Sequence, residues 1–147
     1  MLDSIFNRIT QNRAKGKNIF IIIDEIYLLF QHEYSANFLF TLWKRVRKYG
    51  AFCTGITQNV DDLLQSHTAR TMLANSEFIV MLNQASTDGI ELAKLLNISD
   101  LQLSYITNVD AGNGLIKVGS SLVPFTDQFP RNTKLYRLMT TKPGEQA

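Results

Sequence analysis

Residues 19–25 read IFIIIDE, an apolar run followed at once by two acids. The apolar residues do not alternate with polar ones, so the run predicts a strand covered on both faces, as in parallel sheets. Such sheets place ligands at the carboxyl ends of their strands, which is where Asp24 and Glu25 come. Mg²⁺ prefers carboxylate oxygens together with substrate phosphates, so the acid pair fits a nucleotide site. An acidic turn that simply meets solvent fits the same residues equally well.

The surrounding sequence predicts an α/β fold, because apolar strands are separated by amphipathic helices. We expect strands at 19–24, 51–57 and 77–82, and a β-hairpin near 114–126. Helices are expected at 2–14, at 35–48, at 59–75 in one or two pieces, at 86–96 with Ser86 as N-cap, and at 99–107 with Ser99 as N-cap. Right-handed crossovers between the three strands would make one parallel sheet. The chain has 147 residues, 45% of them hydrophobic, which suits one compact domain.

Thr57 and Gln58 end the second predicted strand, in the sequence TGITQN. Sequential parallel strands that end in acids and in an amide bring those groups to one edge of a sheet. A glutamine there can orient water or bond a γ-phosphate. The other interpretation is a polar cap on the following helix, with Asn59 as the N-cap. The order of the two motifs favours the functional interpretation, and the segment between them is long enough for a crossover.

Four basic residues close the predicted helix 35–48, in the sequence WKRVRKYG. The helix macrodipole alone favours cations at that end. An arginine there can also reach a phosphate bound by a neighbouring subunit, as an arginine finger does. Helix capping and solvation account for most of the four, and Arg47 is the candidate finger. Arg70 is a second basic residue near the predicted ligand edge.

Other kinds of site find little support in the sequence. The single cysteine, Cys53, excludes an internal disulfide and lies in an apolar run, which predicts an inert buried thiol. His32 and His67 have no second ligand at metal spacing, and no basic run is interleaved with exposed aromatic residues as in nucleic-acid binding. The N-terminus lacks the apolar core of a signal peptide, and every apolar stretch is too short to span a bilayer. We therefore expect a soluble, cytoplasmic protein.

A phosphate-binding loop of the form G-x-x-x-x-G-K-[ST] does not occur in the sequence. Gly16 and Lys17 are followed by Asn18, where the motif needs serine or threonine. Without that loop, the β- and γ-phosphates of a nucleotide have no cradle of backbone N–H groups. We therefore expect this chain alone neither to hydrolyse ATP nor to bind it well.

Three blocks of the sequence resemble consecutive blocks of the VirB-type ATPases of conjugation and type IV secretion: IFIIIDEIYLLF, LWKRVRKYGAFCTGITQNVDDLL and MLANSEFIVMLNQ. That family belongs to the HerA/FtsK class of RecA-like motors. The tail GNGLIKVGSSLVPFTDQFPRNTKLYRLMTTKP is similar to versions from Gram-positive conjugative elements. The resemblance covers most of residues 17–143. It implies the C-terminal half of a RecA-like P-loop NTPase with parallel strands, flanking helices and a C-terminal β-hairpin, so that 1–147 is a single partial domain.

The resemblance also implies roles for individual residues. Asp24 and Glu25 match the Walker B pair, in which the first acid holds Mg²⁺ through water and the second polarises the attacking water. Gln58 matches the glutamine motif, and Arg47 matches the arginine of the basic motif between them. Arg70 is the further candidate for cofactor binding. The implied cofactors are ATP and Mg²⁺ in the full-length protein, and none is expected in the isolated chain.

The family resemblance implies a hexameric motor at the cytoplasmic face of the cell membrane, which couples ATP hydrolysis to channel assembly and to DNA or protein transfer. The implied partners are other copies of itself, the type IV secretion channel components and the coupling protein. Membrane association would be peripheral, through these partners, and DNA binding is left open. Two alternatives remain. One is a non-catalytic interaction module of the secretion machinery, and the other is a small phosphate-binding α/β protein unrelated to motors.

Overall fold

The computed structural model describes residues 2–144 of the chain, with side chains from residue 4 onward. The chain divides into two compact units, Met1–Ser76 and Glu77–Ala147. Among the described residues, every helix is too short or too polar to cross a lipid bilayer. The expectation of a single partial domain stays a prediction.

The first unit contains a two-stranded parallel sheet with helices around it. Its elements are α1 (Leu2–Ala14), β1 (Ile19–Ile23), a 3₁₀ helix (Ile26–Phe30), α2 (Glu33–Arg45), a second 3₁₀ helix (Val46–Tyr49), β2 (Ala51–Gly55), α3 (Val60–Gln65) and α4 (His67–Ala74). In the sheet, Ile19 lies opposite Ala51 and Ile23 lies opposite Gly55. The parallel pairing of the first two predicted strands is therefore confirmed, and so are the helix at 2–14 and the division of 59–75 into two pieces.

Helix α2 supplies the centre of the first unit's core. Its Leu42 packs with Ile9 of α1 and with Ala51 of β2. One helical turn earlier, Leu39 packs with Ile26 and with residues of α3 and α4. Both leucines are fully buried, as the spacing of one helix face requires. This helix therefore links the start of the sheet to the segment that follows the acidic pair.

The expectation that the first strand is covered on both faces was wrong for the described part of the chain. Phe20 is 72% exposed and Ile22 is 69% exposed, while the alternating residues Ile19, Ile21 and Ile23 are partly buried. Phe20 stacks on Phe52 of the neighbouring strand, at 5.1 Å between ring centroids. Alternate residues of a strand must face opposite ways, whether or not a second layer covers them. An unbroken apolar run therefore does not reveal how many layers pack on it.

The second unit is built on an antiparallel sheet in the order β3-β4-β5. Its elements are β3 (Phe78–Met81), α5 (Ser86–Leu96), α6 (Asp100–Leu103), β4 (Asn113–Val118), β5 (Ser121–Thr126) and α7 (Lys134–Met139). The predicted hairpin near 114–126 is confirmed as β4 and β5. The prediction that 77–82 joins a parallel sheet was wrong, because β3 pairs antiparallel with β4. The mixed α/β class is confirmed.

Two physical facts explain the error at β3. Its residues alternate between exposed and buried, so its apolar run is a one-sided strand. Met81 lies opposite Leu115, which is fully buried, so the buried face of this strand matches β4. The hydrophobicity of a short run does not specify the partner strand, since pairing is decided by matching faces and registers.

The predicted caps in the second unit were half right. Ser99 caps α6 with a full capping box, in which its hydroxyl accepts from the Gln102 N–H and the Gln102 side chain accepts from the Ser99 N–H. Ser86 was expected to cap α5 but is its first helical residue, after Ala85. Helix α6 ends at Leu103, well before residue 107, because the chain turns there and Thr107 bridges to Gln84.

Candidate functional site

The acidic pair lies at the carboxyl edge of the parallel sheet, between two hydrogen bonds to a single residue. The Ile56 N–H donates to the Ile23 carbonyl at 2.8 Å, and the Ile56 carbonyl accepts from the Ile26 N–H at 3.0 Å. Asp24 and Glu25 are the only residues between those two attachment points. Ile56 is followed directly by Thr57 and Gln58. The backbone thus places the acidic turn beside the end of β2.

Glu25 has the left-handed backbone conformation, with φ 48° and ψ 47°. This conformation costs roughly 1–2 kcal/mol for a residue other than glycine. One local contact offsets part of that cost, since the Glu25 N–H donates to Asp24 Oδ1 at 3.0 Å. Strained backbone of this kind persists where the surrounding structure imposes it, and it is concentrated at functional sites.

The Glu25 side chain contains a buried oxygen without a hydrogen-bond partner. Glu25 as a residue is only half-buried, yet its Oε2 is shielded from solvent and meets no donor in the described part of the chain. An unsatisfied buried carboxylate oxygen costs at least ~1–3 kcal/mol. Buried polar atoms are paired in most native structures, so this oxygen is available to a donor or to a cation that binds at the site.

The segment after β2 contains both the cap of helix α3 and the exposed side chain of Gln58. Asn59 caps α3, because its Oδ1 accepts from the Asp62 N–H at 3.1 Å, and the capping interpretation is confirmed for this residue. The Asn59 N–H donates in turn to Thr57 Oγ1 at 3.2 Å. Gln58 lies between these residues with an exposed side chain. The cap therefore uses its neighbours and leaves the Gln58 amide available to a ligand.

Arg47 lies at the other edge of the sheet. It belongs to the 3₁₀ helix Val46–Tyr49, which ends just before β2 begins, and its side chain is exposed. The five residues of β2 span roughly 16 Å, at about 3.3 Å each. The structure therefore does not bring Arg47 together with Asp24, Glu25 and Gln58 in one chain. An action on phosphate, as predicted, would have to cross to another subunit.

Arg70 is already engaged within the first unit. Its Nε donates to the Leu64 carbonyl at 2.6 Å, close to the C-terminus of α3. The arginine thereby ties α4 to a carbonyl that the end of a helix leaves unsatisfied. This structural task explains a basic residue at position 70, and its predicted contact with cofactor stays a prediction.

Oxygen ligands for a metal are few at this edge. Among residues 4–144 no group of three or more His, Cys, Asp or Glu side chains has metal-binding proximity. A hard cation here would need water or phosphate oxygens besides Asp24 and Glu25, which is the usual way that Mg²⁺ is bound with nucleotides. The acid pair thus suits a shared ion and is too small for a closed metal centre.

Cys53 in β2 is half-buried, so its thiol is less covered than the sequence predicts. Burial raises the pKa of its thiol to about 11, so the group is a neutral thiol at physiological pH. A neutral thiol is a poor nucleophile. Cys53 packs against the core cluster that contains Ile9, Leu42 and Ala51.

Sequence reasoning missed the role of Ile56. Its contribution is made through backbone atoms alone, and a hydrophobic side chain gives no signal of it. The opposite location of Arg47 did have a signal. A residue just before a strand and a residue just after its parallel neighbour necessarily lie at opposite edges of the sheet.

Comparison with known proteins gives one match to a protein family and a match to a solved structure. The family model of the TraG P-loop domain matches residues 2–136. The structure of VirB4 of Thermoanaerobacter pseudethanolicus is similar, with a TM-score of 0.76 and 24% sequence identity, over 88% of this chain and 35% of that chain. This chain thus spans about a third of the solved one, and a likeness at this identity shows the fold. The curated proteins contain no match.

Proposed function

The chain belongs to the TraG P-loop domain family, and on that premise we propose that it supplies the acidic edge of an ATP site in a conjugation or type IV secretion ATPase. The observation that carries this proposal is the buried, unpartnered Oε2 of Glu25, next to Asp24 at the carboxyl edge of parallel strands. ATP hydrolysis at the site would drive channel assembly and the transfer of DNA or protein.

Asp24 is suited to hold Mg²⁺ and Glu25 is suited to polarise water. The Asp24 side chain is exposed at the edge and can accept from metal-bound water, while its Oδ1 also accepts from the Glu25 N–H. Mg²⁺ bound there would neutralise charge on the β- and γ-phosphates. Glu25 Oε2 is shielded from bulk solvent and lacks a donor, so an attacking water held in the assembled site would donate to it and be oriented.

Gln58 completes the group on this edge. Its amide is both a donor and an acceptor, so it can bond the attacking water and a phosphate oxygen together. The Asn59 cap fixes the backbone on one side of it, and the Ile56 bonds fix the other side. A residue with both neighbours fixed presents its side chain with little loss of backbone entropy on binding.

Two parts of the site must come from outside this copy of residues 1–147 under this proposal. The first is the phosphate-binding loop, since the sequence has none. The second is a cation that faces the γ-phosphate, which Arg47 of a neighbouring copy would supply. A head-to-tail arrangement of copies brings opposite edges of the sheet together, and a ring such as a hexamer closes that arrangement.

The remaining assignments follow from membership of the family and are proposals too. The motor would work at the cytoplasmic face of the cell membrane. It would contact the secretion channel components and the coupling protein, and these partners would provide its membrane association. DNA binding is not part of the proposal.

The test is ATP hydrolysis by a full-length protein in which residues 1–147 accompany a phosphate-binding loop. We expect Mg²⁺-dependent turnover that Glu25→Gln abolishes. The matched control is Glu33→Gln, at an exposed acid in the first turn of α2, which should retain parent activity. The isolated chain should show no turnover. Equal activity of Glu25→Gln and the parent would contradict the proposal and would favour a non-catalytic interaction module.

A further inference from the structure

Gly55, the last residue of β2, lies against the residue that follows the acidic pair. A Cβ built on Gly55 would be 2.7 Å from Ile26 Cδ1, 3.4 Å from Ile26 Cγ2 and 3.5 Å from Trp43 Cη2. A separation of 2.7 Å between carbon atoms is far inside van der Waals contact, which lies near 3.5–4.0 Å. The backbone of Gly55 does not have positive φ. Space beside Ile26, and not backbone conformation, is therefore what requires a glycine here.

Ile26 is fixed from two sides in the space that Gly55 leaves. Its side chain is 5% exposed and packs in the core cluster with Leu39, Leu63 and Met72. Its N–H donates to the Ile56 carbonyl at 3.0 Å. Because a packed core has few voids, the Cδ1 of Ile26 has little free space to turn into when a methyl group is added at Gly55. Any backbone shift that accompanies this repacking falls on the residue joined directly to Glu25.

We propose that Gly55 is a positioning residue for Glu25. Because Gly55 has no side chain, Ile26 can pack against the end of β2. This packing imposes the left-handed conformation on Glu25 and the buried position of its Oε2. The consequence for the reaction rests on the proposed function, in which Glu25 orients the attacking water. The consequence for the conformation of Glu25 does not rest on it.

The first experiment uses this chain and needs no nucleotide. NMR reports the φ of Glu25 through the strong intraresidue amide–Hα Overhauser effect of a positive φ. We expect the effect in the parent and its loss in Gly55→Ala. Ile26→Val removes the Cδ1 atom that the new Cβ would meet, so Ile26→Val/Gly55→Ala should regain it. Trp43, the single tryptophan, gives a second signal, since its emission should shift in Gly55→Ala and return in the double variant.

The second experiment measures hydrolysis in the full-length protein. A displacement of about 1 Å in a catalytic group costs as much as 10²-fold. We expect Gly55→Ala to lower kcat at least ~10-fold with KM for ATP within about twofold, and the double variant to recover most of kcat. A role in folding alone would instead lower the amount of active protein and leave kcat per active site unchanged.

The outcomes separate the two proposals. A positive φ at Glu25 in folded Gly55→Ala overturns the positioning role, and so does an unchanged kcat in an enzyme that Glu25→Gln inactivates. If Gly55→Ala does not fold, the proposal is decided by the double variant, whose φ and kcat must match those of Ile26→Val. Hydrolysis that survives Glu25→Gln contradicts the proposed function, while the NMR result still decides how Gly55 affects Glu25.

Discussion

The two edges of the parallel sheet in the first unit differ in how well local structure accounts for them. At the amino edge, the turns before β1 and β2 have positive φ at Gly16 and Gly50, where glycine adopts it at little cost. At the carboxyl edge, positive φ falls on Glu25, and its buried carboxylate oxygen lacks a partner. Ordinary residue preferences explain the backbone conformation at the amino edge but not the positive φ and the unpaired oxygen at the carboxyl edge. Departures of this kind are expected at functional sites.

The cations of the amino edge also follow local rules. Arg13 of α1 lies over the Tyr49 ring, at 5.3 Å from its centroid. Lys44 and Arg45 end α2, where the macrodipole favours positive charge. Among residues 4–144, no contact of Arg47 requires an arginine at that position. The comparison therefore predicts that Arg47 is replaceable for folding and that any requirement for it comes from another subunit.

The largest expected effect is on hydrolysis by Arg47→Lys in the full-length protein. We expect at least a ~10²-fold decrease, since loss of an arginine finger costs 10³–10⁵-fold and lysine offers only a point charge. Thermal unfolding should be nearly unchanged. The control is Arg45→Lys, which should retain parent activity. Mixing Arg47→Lys with Glu25→Gln should restore some turnover if the arginine acts across subunits. If Arg47→Lys keeps parent activity, Arg47 acts only as a positive charge at a helix end, and Arg70 would be tested next.

The next effect concerns a glycine of the amino edge. Gly50→Ala should lower the free energy of unfolding by about 1–2 kcal/mol, because alanine at a φ of 67° is strained. Its Cβ would also lie 3.3 Å from Asn18 Oδ1. Gly50→Asn is the control, since asparagine tolerates the left-handed region better and should lose less. Urea unfolding measures both. Equal stability of Gly50→Ala and the parent would show that this turn rearranges freely.

At the carboxyl edge, a substitution at the residue with positive φ should raise the free energy of unfolding instead of lowering it. Glu25→Gly removes both the strained side chain and the unsatisfied oxygen, so we expect a gain of about 1 kcal/mol in the free energy of unfolding. Glu33→Gly, in the first turn of α2, should instead lose about 0.5–1 kcal/mol. The same urea titrations decide this. A loss of stability in Glu25→Gly would mean that the acidic turn is not strained.

Near neutral pH the smallest effect is a dependence on pH through Cys53, whose pKa is raised to about 11 by burial. The folded state keeps its proton where the unfolded thiol, with a pKa near 8.5, has lost it. Stability from this group is therefore complete below about pH 8.5 and is lost as pH rises toward 11. Cys53→Ala should reduce the fall in unfolding temperature over that range. Identical pH profiles for the variant and the parent would contradict this.

The sequence predicted the elements of the first unit well, because each has a local signal. The apolar run and the two glycine turns define β1 and β2, and the amphipathic pattern defines α1. The partner of β3 had no such signal, since antiparallel pairing with β4 depends on a register between distant residues. The candidate site was predicted as a set of residue types. Its division between two edges of the sheet follows from the order of the residues along two parallel strands, whereas its strain and its orphaned oxygen are properties of the folded geometry.

The attachment of the acidic pair to Ile56 has a consequence for how this region can vary. The two bonds use the backbone N–H and the backbone C=O of Ile56. The side chain of Ile56 is 45% exposed and takes no part in either bond. Position 56 should accept most residue types and reject proline, which has no N–H to donate. The number of residues between Ile23 and Ile26 is a stricter constraint. Adding or removing one would change the length of the loop that two fixed bonds enclose, so insertions there should be rarer than substitutions.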